Sequence, residues 1–266
     1  MIAPWIETLS GKRFDLLAPD ADAVDLTDLS HSLAHLSRFT GHTARSYSVG
    51  EHCLWVWKLI ELEYPEDYLL QLLGQFHDGH EAYTGDVSGP LKAALRLLES
   101  RSRATGDPRF TPKPVTSSLD AINARVQRAV LQHFGLTAPT PWQDTVIKGA
   151  DMRMLSTEHL CPALMPNAGV HEWEADATAP VTGLLDGSIV LEPEKMVSGT
   201  PHKLPRTVRF PARVALQTPP TERPTYSSPA LPIFEDDVAF LFKQNAMRLL
   251  SLFSQQRSSF AMQSRP

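Results

Sequence analysis

Four side chains in this sequence combine the residue types that bind a divalent metal ion. They are His52, the adjacent pair His77 and Asp78, and Asp151. Imidazole nitrogen and carboxylate oxygen together suit a divalent transition metal. Adjacent residues on a helix point about 100 degrees apart, so His77 and Asp78 can reach one ion only if it lies between helices. These four candidate ligands therefore predict a site that tertiary folding must assemble.

The helices expected to carry these residues begin at recognisable N-caps. Asp28 precedes apolar residues at helical spacing, so it is predicted to cap a short helix that ends near Gly41. Ser48 followed by Glu51 is a capping-box pattern ahead of an apolar run. His52 is therefore expected in the first turns of the next helix.

The other candidate ligands fall on longer segments with a helical period. Residues 67–82 form one of them, with His77 and Asp78 toward its C-terminal end. A helix over residues 141–159 carries Asp151. The segments between them are predicted as a loop at 84–90, a helix at 91–100, an exposed loop at 101–118 and a helix at 119–133 closed by Gly135.

The two ends of the chain carry weaker patterns. Residues 1–26 are predicted to form an irregular arm or a small hairpin. After Trp173 the composition changes to a strand or hairpin near 181–193, a Pro-rich connector over 200–232, and a helix over 236–253 that could dock on the core. The predicted architecture is an all-α domain over residues 1–173 and a mostly irregular extension over residues 174–266 that ends in a helix.

Charge and composition narrow the classes of function. The chain has 266 residues and a formal net charge of -5, which gives no electrostatic reason to bind a nucleic-acid polymer. Cys53 and Cys161 are too few for a disulfide framework. No signal peptide or bilayer-spanning run is recognised. We expect a cytoplasmic protein that binds neither nucleic-acid polymers nor membranes.

A series of short motifs over residues 28–158 resembles one enzyme superfamily. The motifs AHLSRF, EH, HDxxE, TGD, P-x-K and KGAD follow one another in this order. This order resembles the HD-domain phosphohydrolases, and in particular the 5′-deoxynucleotidase branch with its phage and bacterial relatives. The resemblance implies an HD-type helical bundle whose metal ligands are the four candidate ligands. It implies Co²⁺, Mn²⁺ or Zn²⁺ as the metal, with Mg²⁺ as an additional ion to be considered.

The same resemblance implies roles for three residues outside the ligand set. Arg38 would hold the phosphate, Glu81 would act as general acid or base, and Asp86 would lie near the sugar 3′-hydroxyl. On one continuous helix Glu81 would share a face with the His-Asp pair, which suits a proton-transfer role. Asp78 would serve both as ligand and in catalysis.

Three further residues are candidates for binding the substrate. Phe39 stands where the deoxynucleotidases carry a tryptophan, and His42 lies close to Arg38 in the sequence. Lys92 would add a positive charge. The segment between Arg38 and His52 is slightly shorter than in that branch, which leaves the choice of sugar and base open.

The predicted activity is hydrolysis of the 5′-phosphate of deoxynucleoside monophosphates. Water would attack phosphorus, a metal ion would lower the pKa of that water, and Arg38 would hold the phosphate. A deoxynucleoside triphosphate triphosphohydrolase is the closest alternative, and additional cations beside the site, such as Arg45 and Lys92, would favour it. A cyclic- or signalling-nucleotide phosphodiesterase ranks lower, because it usually needs further ligands for a second metal.

A role without catalysis is the remaining alternative. A nucleotide-binding assembly module could keep this fold and use residues 174–266 as a surface for a partner. By analogy with the resembling enzymes we expect a homo-oligomer that acts on a small deoxynucleotide in the cytosol of a bacterium or of a phage-infected bacterium.

Overall fold

Helices make up most of the structure, and the few strands form two short antiparallel pairs, β1 (Trp5–Glu7) with β2 (Arg13–Asp15) and β3 (Val190–Leu191) with β4 (Val208–Arg209). The all-α prediction is therefore confirmed. The computed structural model describes residues 4–103, 117–168, 178–196, 208–210 and 235–263. Its helices are α1 (Leu26–His35), α2 (Val49–Glu63), α3 (Tyr68–Gln75), α4 (Glu81–Thr84), α5 (Gly89–Arg103), α6 (Ser118–His133), α7 (Pro141–His159), α8 (Thr182–Leu185), α9 (Pro193–Met196) and α10 (Glu235–Gln263).

Helix α1 begins earlier and ends earlier than its sequence pattern predicts. Its N-cap is Asp25, whose carboxylate accepts hydrogen bonds from the backbone N–H groups of Thr27 and Asp28 at 2.7 and 3.3 Å. Asp28 was predicted as the cap, but it is buried in the first turn and accepts from the backbone and hydroxyl of Ser10 at 2.9 and 2.7 Å. The prediction of Asp28 as N-cap was therefore wrong, because a hairpin contact occupies its carboxylate.

The apolar period beyond α1 belongs to a separate turn. Residues Arg38–Gly41 form a 3-10 turn in which Phe39 and Thr40 have φ of 54 and 56 degrees. These left-handed conformations are unfavourable for residues with a Cβ and prevent the helix from continuing to Gly41. The turn instead leads the chain back toward α2.

Helix α2 begins where the capping pattern predicts. The Ser48 hydroxyl accepts from the Glu51 backbone N–H at 3.1 Å. The reciprocal half of the capping box is absent among the described hydrogen bonds, because the Glu51 carboxylate pairs with Arg45 at 2.7 and 3.0 Å. His52 lies in the first turn of α2, as expected.

Helix α3 ends before the His-Asp pair, and this corrects the prediction of one helix over 67–82. The chain leaves the helix at Gln75, passes through a turn over residues 76–80, and begins α4 at Glu81. We call residues 76–80 the ligand turn. The side chain of Gln127 on α6 holds it by donating to Phe76 O at 2.7 Å and accepting from the His80 backbone N–H at 2.9 Å. Local periodicity cannot reveal this tertiary contact.

Helices α6 and α7 match their predicted ranges closely. Each has a full capping box, Ser117 with Asp120 for α6 and Thr140 with Gln143 for α7. Gly135 has a φ of +66 degrees just after α6, the left-handed conformation that ends helices. The loop predicted at 101–118 lies outside the described residues except at its ends, where α5 and α6 extend into it.

The C-terminal extension is more regular than predicted where it is described. Of the strand or hairpin expected near 181–193, a short strand is present as β3, which pairs with the distant β4, while Thr182–Leu185 form α8. Most of the connector predicted at 200–232 lies outside the described residues. The predicted C-terminal helix is confirmed as α10 and extends to Gln263. The domain boundary at 173/174 stays a prediction.

Helix α10 completes the hydrophobic core instead of lying apart from it. It packs against α1, α2 and α3, and Gln75 on α3 donates to Phe242 O at 2.7 Å while accepting from Asn245 at 2.8 Å. Its buried apolar residues belong to the same cluster as Trp55 and Phe76: Val238, Leu241, Phe242, Ala246 and Leu249. None of the described helices combines the length and apolar character that crossing a bilayer requires.

Candidate metal centre

The four candidate ligands meet at one point between α2, α7 and the ligand turn. His52 Nε2 lies 3.3 Å from His77 Nε2 and 3.3 Å from Asp151 Oδ1. His77 Nε2 lies 3.1 Å from Asp78 Oδ2. Each imidazole is farther from the second carboxylate: His52 Nε2 lies 4.0 Å from Asp78 Oδ2, and His77 Nε2 lies 3.9 Å from Asp151 Oδ1. Atoms bound at about 2.1 Å to one ion lie roughly 3–3.5 Å apart, so the cluster is close to the spacing that a shared ion needs.

The hydrogen bonds of the two imidazoles assign the atoms that face this point. His52 Nδ1 lies 2.6 Å from Glu158 Oε1, and His77 Nδ1 lies 2.9 Å from Gly74 O. A carbonyl oxygen and an ionised carboxylate only accept, so both Nδ1 atoms carry the proton. Both Nε2 atoms therefore face the two Asp carboxylates: while protonated they donate to these carboxylates, and once that proton is lost they offer lone pairs to a cation. Four electron-rich atoms converging in this way fit a cation, and the buried cluster could therefore bind a metal ion.

The two Asp ligands are held as carboxylates by their neighbours. Burial would raise the pKa of Asp78, but the adjacent His77 outweighs it and lowers that pKa. Burial would also raise the pKa of Asp151, which His52 and His77 lower well below its usual range. Lys148, one turn earlier on α7, donates to Asp151 Oδ2 at 2.8 Å and leaves Oδ1 facing the imidazoles. The donor set is therefore suitable for a divalent ion.

Glu158 lies behind the cluster and was not predicted from the sequence. Its side chain is fully buried, and its carboxylate accepts from His52 Nδ1, from the Tyr47 hydroxyl at 2.8 Å, and from Arg38 Nε and Nη2 at 3.2 and 2.8 Å. Burial would raise its pKa, but Arg38 and His52 outweigh this effect and lower it. Glu158 stands seven residues after Asp151 on α7, which places the two acids on one helix face. That spacing is the sequence signal that could have revealed it.

The fold places Arg38 close to the candidate ligands, and its guanidinium is also paired with the buried Glu158. Burial would lower its pKa, and the attraction of Glu158, with further contributions from Asp78 and Asp151, raises it instead. Arg38 therefore lies within electrostatic reach of the metal ligands, as a phosphate-holding residue must. Phe39 is half-buried beside it, with the guanidinium carbon 5.6 Å from the ring centroid.

Glu81 is buried next to the cluster at the start of α4. Burial raises its pKa to about 8, and the negative charges of Asp78 and Asp86 add to the effect. Its Oε1 lies 3.6 Å from Lys92 Nζ, and its buried Oε2 has no hydrogen-bond partner in the described part of the chain. A carboxyl group that changes protonation near neutral pH is suited to proton transfer. The continuous helix from which this role was first argued does not exist, but the ligand turn still brings Glu81 close to Asp78.

The other predicted residues differ in how close they come to the cluster. Asp86 is half-buried; burial raises its pKa, while Arg38 and Lys92 lie near enough to oppose the rise. His42 is exposed at the end of the 3-10 turn, and no contact between its side chain and the ligands is among those described. Roles for these residues in substrate binding stay predictions.

Comparison with known proteins gives relatives but no matching family model. The chain is 30% identical over 154 residues to the "Uncharacterized protein YfdR" of Escherichia coli, an alignment that covers 58% of this chain and 70% of that protein. It is 32% identical over 147 residues to an uncharacterized protein of Rhodobacter capsulatus, with coverage of 49% of this chain and 74% of the relative.

Proposed function

The chain belongs to the family of Escherichia coli YfdR, and we propose that it is a metal-dependent phosphohydrolase of the HD-domain type. Its substrate would be a deoxynucleoside 5′-monophosphate, and its products the deoxynucleoside and phosphate. One observation carries the proposal: the Nε2 atoms of His52 and His77 lie 3.3 Å apart, and each has an Asp carboxylate within 3.3 Å, Asp151 beside His52 and Asp78 beside His77. The ordered motifs around these residues supply the substrate class.

A divalent ion held by the four ligands would lower the pKa of the attacking water and neutralise charge on the phosphoryl oxygens. Co²⁺, Mn²⁺ and Zn²⁺ suit the imidazole and carboxylate donors, and Mg²⁺ would be a further ion to test. The hydrogen bonds of the two imidazoles already turn their Nε2 atoms toward the candidate site, so binding an ion would need only small movements of the side chains.

Arg38 would hold the phosphate of the substrate. Its described hydrogen bonds use Nε and Nη2, both toward Glu158, so Nη1 is the nitrogen offered to a phosphoryl oxygen. A guanidinium stays protonated at every relevant pH and offers a planar array of donors. Arg38 would therefore keep its positive charge beside the phosphoryl group at every pH used in an assay.

Glu81 would move the proton. As a carboxylate it can accept a proton from water, and as a carboxylic acid it can give one to the oxygen of the leaving deoxynucleoside. Lys92 lies beside its Oε1 and can favour the ionised form during the first of these steps. Asp86 would accept a hydrogen bond from the sugar 3′-hydroxyl.

Triphosphate release by a deoxynucleoside triphosphatase is the second candidate. Arg45 and Lys92 were expected to support this alternative. Arg45 is paired with the buried Glu51, and Lys92 Nζ lies 3.6 Å from Glu81 Oε1. Lys148 has a 66% exposed side chain that could reach additional phosphates, but its ammonium is bound to Asp151. Each of these three cations already has an acidic partner, so we rank the monophosphate first.

The test is a chromatographic product assay on the purified protein with Mn²⁺ or Co²⁺. Each deoxynucleoside monophosphate and triphosphate is supplied separately, and phosphate is distinguished from triphosphate. We expect phosphate from monophosphates, and we expect His77→Ala and Asp151→Ala to abolish turnover and metal binding. Asp144→Ala removes an exposed carboxylate from the same helix as Asp151 and should retain both.

Each of the other results points elsewhere. Triphosphate from a deoxynucleotide would replace the first candidate with the second. Binding of a nucleotide without any turnover would favour the non-enzymatic assembly role. Full activity and metal binding in His77→Ala would remove the site assignment altogether.

A further inference from the structure

We propose that Glu158 is a positioning residue that aligns the metal ligand His52 and the phosphate-binding Arg38 through one buried carboxylate. The inference rests on the proposed function and assigns a role to a residue outside the ligand set. Metal binding and phosphate binding would then depend on the same side chain.

The contact with His52 fixes the chemistry of that ligand. The 2.6 Å hydrogen bond from Nδ1–H to Oε1 places the proton of the neutral ring on Nδ1, so that Nε2 can offer its lone pair to a metal ion. It also fixes the rotation of the ring, so that Nε2 faces His77 and Asp151 at 3.3 Å. A carboxylate behind a ligating imidazole increases the basicity of that imidazole and strengthens metal binding.

The contact with Arg38 fixes the second function. Two nitrogens of the guanidinium donate to Oε2, so the plane of the guanidinium is set by Glu158. A buried Arg needs such a partner, since an unpaired charge in this position would be strongly destabilising. Oε1 of Glu158 therefore accepts hydrogen bonds from His52 and Tyr47, while Oε2 accepts those from Arg38.

The position of Glu158 on α7 makes the alignment rigid. Glu158 and Asp151 lie two helical turns apart on one face, so the carboxylate behind His52 and the carboxylate beside it are carried by the same helix. Helix α2, which carries His52, packs directly against α7. A shift of either helix would move both contacts together.

The test replaces Glu158 by Gln and measures Co²⁺ affinity by calorimetry in the absence of substrate. The amide has only one acceptor oxygen, so it cannot serve both sets of donors. We expect Co²⁺ to bind about 10–100-fold more weakly, as for other losses of a residue that orients a metal ligand. We also expect a higher KM for the monophosphate, since Arg38 loses its alignment.

Glu51→Gln is the matched control. It breaks a second buried Arg–Glu pair, that of Glu51 with Arg45, whose described contacts include no ligand. Circular dichroism checks the fold of each variant. If Glu158→Gln does not fold, Glu158→Asp keeps the charge but is too short to hold both partners, and it should show the same weakening of Co²⁺ binding.

The outcomes separate this inference from the proposed function. Wild-type affinity in a folded Glu158 variant would overturn the inference, and so would equal losses in the Glu158 and Glu51 variants, since the effect would then come from any broken buried ion pair. Failure of the wild-type protein to bind Co²⁺ would instead remove the proposed metal site.

Discussion

Burial and negatively charged neighbours both raise the pKa of the Glu81 carboxyl group. Its ordinary pKa of 4.5 rises to about 8 in the folded protein. Between these two values the folded state keeps a proton that the unfolded state has lost. The metal-free protein should therefore lose stability as pH rises from about 4.5 to about 8. The carboxyl group that suits proton transfer is thus also a source of instability in the fold.

Replacing Glu81 by Gln should remove this penalty. We expect the metal-free variant to melt about 2–4 °C above the wild type at pH 8, with the difference closing toward pH 5, by scanning calorimetry. Its turnover should fall about 10²–10⁴-fold if Glu81 transfers the proton. Glu63→Gln, at a half-exposed position on α2, is the control: its melting temperature should differ from that of the wild type by the same small amount at both pH values. A Glu81→Gln difference that did not change with pH would contradict the argument.

The sequence predicted the four candidate ligands, which the fold brings together, but not the residues that surround them. His52, His77 and Asp151 lie in motifs that follow one another in a recognisable order. Glu158 lies in no such motif, and only the folded structure shows its contact with His52. Gln127 is equally inconspicuous, although it holds both ends of the ligand turn. Residues that act through a contact across more than 40 positions of the chain leave little local trace.

At the scale of elements, capping residues predicted boundaries better than apolar periodicity did. Helix α7 begins at the proline of a capping box and was predicted over its observed range. Helix α3 was predicted too long, because the period continues to Phe76 while the backbone turns at 76–80. The turn depends on partners in α6, and the register of α3 against α2 depends on a close contact at Gly74.

Gly74→Ala tests that contact. A Cβ at this position would lie 2.2 Å from Ile60 Cδ1, so either the buried end of the Ile60 side chain must change its rotamer, or α3 must move away from α2 and carry the ligand turn with it. We expect a loss of about 1–3 kcal/mol in unfolding free energy by urea denaturation, and weaker Co²⁺ binding.

Gly149→Ala is the control on a helix that has room for the added methyl group. No atom lies within 4 Å of its would-be Cβ, and alanine is the better helix former by about 0.5–1 kcal/mol. This variant should be as stable as the wild type or more stable. Equal destabilisation of both variants would show that steric contact at Gly74 is not the cause.

For the whole molecule, the predicted C-terminal helix is present as α10 and does dock on the core. The helices it packs against could not be predicted, because most of the chain between α9 and α10 has no periodic pattern. Val238, Leu241 and Phe242 are fully or almost fully buried against α1 and α3. The first helices therefore lack part of their hydrophobic core without the last one.

Phe242→Ala measures that dependence. We expect a loss of about 3–5 kcal/mol in unfolding free energy, in a single urea transition with an unchanged slope. Met247→Ala, on the same helix but 46% exposed, should change stability by less than about 0.5 kcal/mol. A loss confined to a minor separate transition would mean that α10 unfolds independently.

The long sequence separation of these contacts sets an order of events during synthesis. Arg38 meets Glu158 across 120 residues, and Gln75 meets Asn245 across 170. At about 5–20 residues per second, α3 leaves the ribosome on the order of ten seconds before α10 follows. The nascent chain thus carries His52 and His77 for several seconds without Asp151 or Glu158 to complete the site. Assembly of the candidate metal centre, like closure of the core, must wait for the later helices.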